Sequence, residues 1–145
     1  MEYALWLDFV LFLVTLALFV YVFMSSTITR LHKVYLTFHA CLLLWPFSQF
    51  AVATTDDPFF QAFHLKIGFA GISVVGVAWT IFAIFLSGHS YILNRRSMTA
   101  LAIPTVVVVV LILLNPSGTF MKPVDSDYAD RVYGPIFWAM IAIQF

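Results

Sequence analysis

The sequence predicts an all-α fold, a polytopic transmembrane helix bundle with four complete helices, the start of a fifth, and the N-terminus outside. Three observations carry this. Of 145 residues, 63% are hydrophobic and only 10% charged, with a mean hydropathy of +1.00, whereas a soluble domain carries about 25% charged residues. The seven basic and seven acidic residues cluster between long uncharged stretches, and about 20 residues cross a hydrocarbon core of roughly 30 Å. Finally, "AIPTVVVVVLILLNP", Ala102 to Pro116, would be an aggregation-prone strand in water. In lipid, where nothing else satisfies its N–H and C=O groups, it must close its own hydrogen bonds as a helix.

Helix one is read over Ala4 to Met24. It is a span and not a secretory signal, because "MEYALWLDF" is acidic and no small-residue cleavage pattern follows. Helix two runs from Val34 to Ala53, with Pro46 at mid-span removing one backbone hydrogen bond and predicting a kink. Helix three runs from Ile67 to Leu86 and helix four from Thr99 to Leu114, with Pro104 near its start. Helix five opens at Pro135, a residue suited to a first helical turn. At 1.5 Å per residue, its stretch to Phe145 would leave a carboxylate near mid-bilayer, where charge is costly. The expectation is therefore a longer polypeptide, with residues 1–145 forming one membrane domain at its front.

Orientation follows from lysine and arginine. Arg30 and Lys33 occupy the loop after helix one, and Arg95 and Arg96 the loop after helix three. The second and fourth loops, "TTDDPFFQAFHLK" and "NPSGTFMKPVDSDYADRVYG", carry more acids than bases. The loops after helices one and three are thus expected in the cytoplasm, and a cytoplasmic effector after the last helix requires an odd helix count, five or seven.

Several function classes are excluded on composition and motif. No GxSxG, phosphate-binding glycine loop, HExxH or intramembrane carboxylate pair is present, so no catalytic residue is assigned. Zero net charge without a basic field argues against nucleic acid, and the single Cys41 permits no internal disulfide. The "DSDYAD" segment, Asp125 to Asp130, lacks the glycine and distal glutamate of a calcium loop, and no metal is expected.

Two features hold candidate chemistry. His39, inside helix two, is read first as a neutral, hydrogen-bonded structural histidine and second as a proton sensor or ligand. A haem would need a second histidine at matching depth, and His89 lies beyond the apolar span after Gly88, so no cofactor is expected. On helix three, Ser73, Gly76, Thr80, Ala83 and Ser87 share one arc at 100° per residue. Such a strip of small residues suits close helix packing in lipid; the alternative is a ligand-facing or sliding surface. A transporter would show polar groups or broken helices at midplane, where this chain offers little besides Ser48, Gln49 and Thr80.

One set of residues points to a family. "GISVVGVAWTIFAIFLSG" from Gly71 to Gly88, a short basic loop, Ile103 with Pro104, Asn115 with Pro116, and "YGPIFW" from Tyr133 to Trp138 together resemble the N-terminal seven-helix region of bacterial histidine kinases. In helix three the resemblance rests on Gly71, Trp79, Phe82, Ser87 and Gly88. Elsewhere it rests on Trp45, Pro104, Asn115, Pro116, Gly134, Phe137 and Trp138. The chain departs from the family at Gly76 and Val77, where a proline pair is common, and at Leu86, where an aromatic is common. The resemblance implies seven spans and a bacterial plasma-membrane location. It also implies a cytoplasmic output region such as a histidine kinase or diguanylate cyclase, a homodimer formed through that region, a response regulator as its partner, and a small ligand or bilayer change as the signal.

Overall fold

The computed structural model describes residues 2–24, 29–121 and 133–144; the "DSDYAD" segment lies outside them. Five α-helices follow in order: α1 (Glu2–Met24), α2 (Arg30–Ala53), α3 (Pro58–Leu86), α4 (Arg95–Leu114) and α5 (Pro135–Gln144). The first four are long and apolar enough to cross a membrane. The valine run lies inside α4, so intrahelical hydrogen bonding overrides β-propensity there, as lipid solvation demands.

Three helices begin earlier than charge placement predicts, and capping explains each start. Thr29 accepts from the His32 N–H ahead of α2, Asp57 from the Phe59 N–H ahead of α3, and Asn94 from the Ser97 N–H ahead of α4. Each side chain satisfies a backbone donor that has no intrahelical acceptor. Pro58 then fills the first position of α3, where its missing N–H is harmless. Gln61 Nε2 donates to the Thr55 carbonyl at 2.7 Å and ties that start to the preceding turn. The helix therefore absorbs "PFFQAFHLK", and charged Lys66 lies within it. At the far end of α3, Gly88 N–H bonds Phe85 O and His89 N–H bonds Ile84 O, with Gly88 at φ +76°. This is the paired hydrogen-bond pattern that closes a helix on a left-handed residue.

The bundle is wound in sequence order: α2 lies between α1 and α3, α3 packs on α4, and α5 closes against both α3 and α4. The closest approach is between α2 and α3. A Cβ added at Gly68 would sit 3.0 Å from Ser48 Cβ, and one at Gly71 would sit 2.9 Å from Leu44 Cβ and 3.0 Å from the Cys41 carbonyl. Lipid chains are as apolar as leucine, so burying apolar surface gives little drive between spans; close backbone contact supplies the attraction instead. Both α2 and α4 remain helical through Pro46 and Pro104.

Large apolar side chains face outward along the spans, including Val10, Val14 and Leu18 on α1 and Val106, Val107 and Val110 on α4. A water-soluble monomer does not expose contiguous apolar surface on this scale. The main buried apolar cluster lies toward one end of the bundle, where Val52, Leu65, Phe69, Val108, Ile112, Phe120, Met121 and Met140 meet.

The two glycines with different duties give a crossed prediction. Gly71→Ala should cost about 1–3 kcal/mol through overpacking, and Gly88→Ala about 1–2 kcal/mol through its left-handed backbone. Asparagine tolerates that backbone, so Gly88→Asn should be milder than Gly88→Ala, whereas Gly71→Asn should be worse than Gly71→Ala. Unfolding of the four variants in detergent checks the order.

Candidate functional site

The resemblance residues gather at two levels of the bundle. At the end that carries the 54–57 turn, Asn115 ends α4 with φ +44°, a left-handed geometry that asparagine accepts readily. Its side chain then holds the following segment. Oδ1 accepts from Phe120 N–H at 2.9 Å and Met121 N–H at 3.2 Å, while Nδ2 donates to the Met121 carbonyl at 2.7 Å. Pro116 follows, where helix continuation is blocked.

Held in this way, residues 119–121 receive the start of α5. Gly134 N–H bonds Phe120 O at 2.8 Å and Ile136 N–H bonds Thr119 O at 3.2 Å, and Met121 bridges Tyr133. A Cβ at Gly134 would lie 2.0 Å from the Thr119 carbonyl oxygen, so only glycine admits this approach. Phe120 becomes fully buried, and Phe69 of α3 packs within 5.3–5.9 Å of Trp45, Phe120, Tyr133 and Phe137. Tyr133 stacks on Phe137 at 4.1 Å. Such aromatic pairs each contribute about 0.5–1.5 kcal/mol beyond burial, and this set joins α2, α3 and α5 through one ring.

The second level lies toward the other end of the α2–α3 seam. Phe38 contacts Trp79, Tyr35 contacts Phe82, and Trp79 contacts Phe82, all at 5.4–5.7 Å. His39 is buried beside this group, 5.1 Å from the Tyr35 ring. The backbone of Thr15 in α1 is the polar group that faces it, but neither ring nitrogen reaches ordinary hydrogen-bond geometry. His89 lies exposed past the end of α3, beside Ser87 and Tyr91.

Of the small-residue strip, Ser73 is buried, Gly76 half-buried, and Thr80, Ala83 and Ser87 exposed. Ser73, Thr80 and Ser87 hydroxyls donate back to Phe69, Gly76 and Ile84 carbonyls at 2.8–3.0 Å, which keeps polar hydrogens off an apolar surface. The strip lies on the side of α3 that bears Leu65 and Phe69, more than a quarter turn from Gly68 and Gly71. Trp138 and Pro104 face outward. Among the described residues no group of three or more histidine, cysteine or acidic side chains is placed to hold a metal.

His64 was missed from the sequence, where it falls in a presumed loop. It is 8% exposed, with Phe60, Phe63 and Phe47 rings at 4.3, 5.4 and 5.6 Å, and its Nδ1 has no partner in the protein. The signal for it was available: Asp57 followed by Pro58 is a helix start.

The description "N-terminal 7TM region of histidine kinase" matches residues 7–145. The chain belongs to that family. No curated protein and no solved structure matches it significantly. As a member of a 7TM histidine-kinase sensory family, the chain is a membrane protein whose described residues supply four spanning helices and α5. The residues that carried the resemblance have physical duties here. Asn115 and Gly134 fix the α4–α5 connection, Gly71 sets the α2–α3 distance, Gly88 closes α3, and Trp45 and Phe137 both pack on Phe69.

Removing the Asn115 side chain deletes three hydrogen bonds at a half-buried position, so Asn115→Ala should destabilise the protein by about 2–4 kcal/mol. Pro116→Ala, at an exposed position, should cost less than 1 kcal/mol on the order of ordinary surface changes. Thermal unfolding of both variants in detergent measures the difference.

Proposed function

We propose that this chain is the sensory input domain of a two-component signalling protein of the bacterial plasma membrane. The single observation that carries this is family membership over residues 7–145. Charge placement supports an outside N-terminus, with Arg30 and Lys33 and the pair Arg95 and Arg96 on the cytoplasmic side. On this reading two further helices lead to a cytoplasmic output region, a histidine kinase or diguanylate cyclase. That region forms the homodimer and passes the signal to a response regulator.

A signal acts only if two helix arrangements bind it with different affinity. Packed helices have discrete alternative arrangements, because interdigitated side chains do not deform continuously. The features that suit this role are the strip from Ser73 to Ser87, which turns a smooth, internally hydrogen-bonded surface outward over its lower half, and Pro46, where α2 lacks one backbone bond. We place the moving seam along that strip, where it meets a neighbouring helix or a small ligand, with His39 as a structural element of the α1–α2 contact.

Widening the strip tests this in the full-length protein. Gly76→Leu should shift signalling output about fivefold or more, a typical coupling between sites, while Val77→Leu, one position off the strip, should leave it close to wild type. Phosphorylated response regulator, or a reporter it drives, provides the readout; equal effects of the two substitutions would argue against a moving strip.

A further inference from the structure

One side of α3 changes from covered to bare along its length. Leu65, Phe69 and Ser73 follow one another by single turns on that side and are 2%, 7% and 3% exposed. The same line continues through half-buried Gly76 to Thr80, Ala83 and Ser87, which are exposed. Helix α2 meets another side of α3, the one that bears Gly68 and Gly71. Helix α4 follows α3 through residues 87–94 and still leaves those three residues bare.

The element seated on the covered part of this line is α5. Phe69 packs against Tyr133 and Phe137 at 5.9 and 5.5 Å, and Met140 and Ile141 join the same apolar cluster. Helix α3 leaves the end of the bundle that bears the 54–57 turn, and α5 starts at that end, beside Thr119, so the two run in the same direction. At 1.5 Å per residue, α5 from Phe137 to Gln144 advances about 10 Å past the level of Phe69, which is the level of Gly76. Thr80, Ala83 and Ser87 lie about 17, 21 and 27 Å past it. The bare part of the line begins where the described part of α5 ends.

The side chains on the line suit an approaching helix. Phe69 holds the start of α5 at ring-contact distance, and beyond it no side chain on the line is larger than threonine. Thr80 and Ser87 donate to the Gly76 and Ile84 carbonyls, so this surface requires no polar partner and an apolar helix can come close to it.

We propose that the line from Thr80 to Ser87 is the docking track for the rest of helix five, the chain that directly follows Phe145. This inference rests on the proposal that further membrane-embedded chain follows Phe145, and it gives the moving seam its neighbour: helix five and not a small ligand. The start of α5 is tied to residues 119–120 by the Gly134 and Ile136 N–H groups. A shift of that connection therefore slides helix five along the track, toward the end that bears Arg95 and Arg96.

The test is disulfide crosslinking in membranes of the full-length protein, with Cys41 and any later cysteine replaced by alanine. Ala83→Cys is paired in turn with single cysteines about two to ten residues beyond Phe145, the stretch that a straight helix five brings to its level. Crosslinking within one chain should peak about 14 residues after Phe137, the same distance that separates Ala83 from Phe69, and should recur with a period of about 3.6. Leu86→Cys, about 100° around α3 from Ser87, should give little product with the same partners. A peak with a later span, crosslinks between two copies, equal yields from Leu86→Cys, or no product at any position would each overturn the proposal. The signalling output of Gly76→Leu keeps the two readings apart. Unchanged output with the Ala83 crosslink present removes the moving seam and leaves the docking track, whereas shifted output without the crosslink does the reverse.

Discussion

The absence of water around the spans is the constraint on which the rest of this structure depends. With no solvent to take up backbone N–H and C=O groups, every segment in the hydrocarbon must close its own ladder, and even the valine run of α4 does so. The same constraint governs the side chains. Hydroxyls along α3 and α4 return to carbonyls of their own helix, and the helix starts are capped by Thr29, Asp57 and Asn94. It also removes the usual force between helices, since a side chain leaving lipid for a helix interface gains little.

What replaces that force differs along the bundle. Between α2 and α3 it is proximity, set by Gly68 and Gly71 against Ser48, Leu44 and the Cys41 carbonyl. Around the α4–α5 connection it is a polar knot, in which one asparagine holds Phe120 and Met121 through three hydrogen bonds and a glycine lets the next helix lie against the Thr119 backbone. Phe69 links the two, touching Trp45 of α2 as well as Phe120 and Phe137. Val52 of α2 shares the same buried cluster with Phe120 and Met121, so the knot meets α2 through an aliphatic as well as an aromatic side chain.

The helix count and the valine run as a span were legible in the sequence because each follows from solvent and backbone physics acting locally. Helix starts were less so: charged residues were taken as borders, yet Lys66 lies within α3, and the capping residues Thr29, Asp57 and Asn94 set the true starts. That error hid His64 in a loop. The closest contact also escaped notice, since helical periodicity identifies the strip from Ser73 to Ser87 but does not say which side of α3 faces α2; Gly68 and Gly71 do. Asn115 and Gly134 stood out as punctuation, but their joint task depends on the path of residues 119–121, a tertiary fact that no local pattern encodes.

The most direct test of lipid solvation is collision accessibility of spin labels placed one at a time along α4 in bilayers. Oxygen concentrates in the hydrocarbon, whereas a water-soluble nickel chelate is excluded from it. The account predicts high oxygen and low nickel accessibility at Val106, Val107 and Val110, and low accessibility to both at buried Val108 and Ile112. High nickel accessibility along the valine run would contradict it.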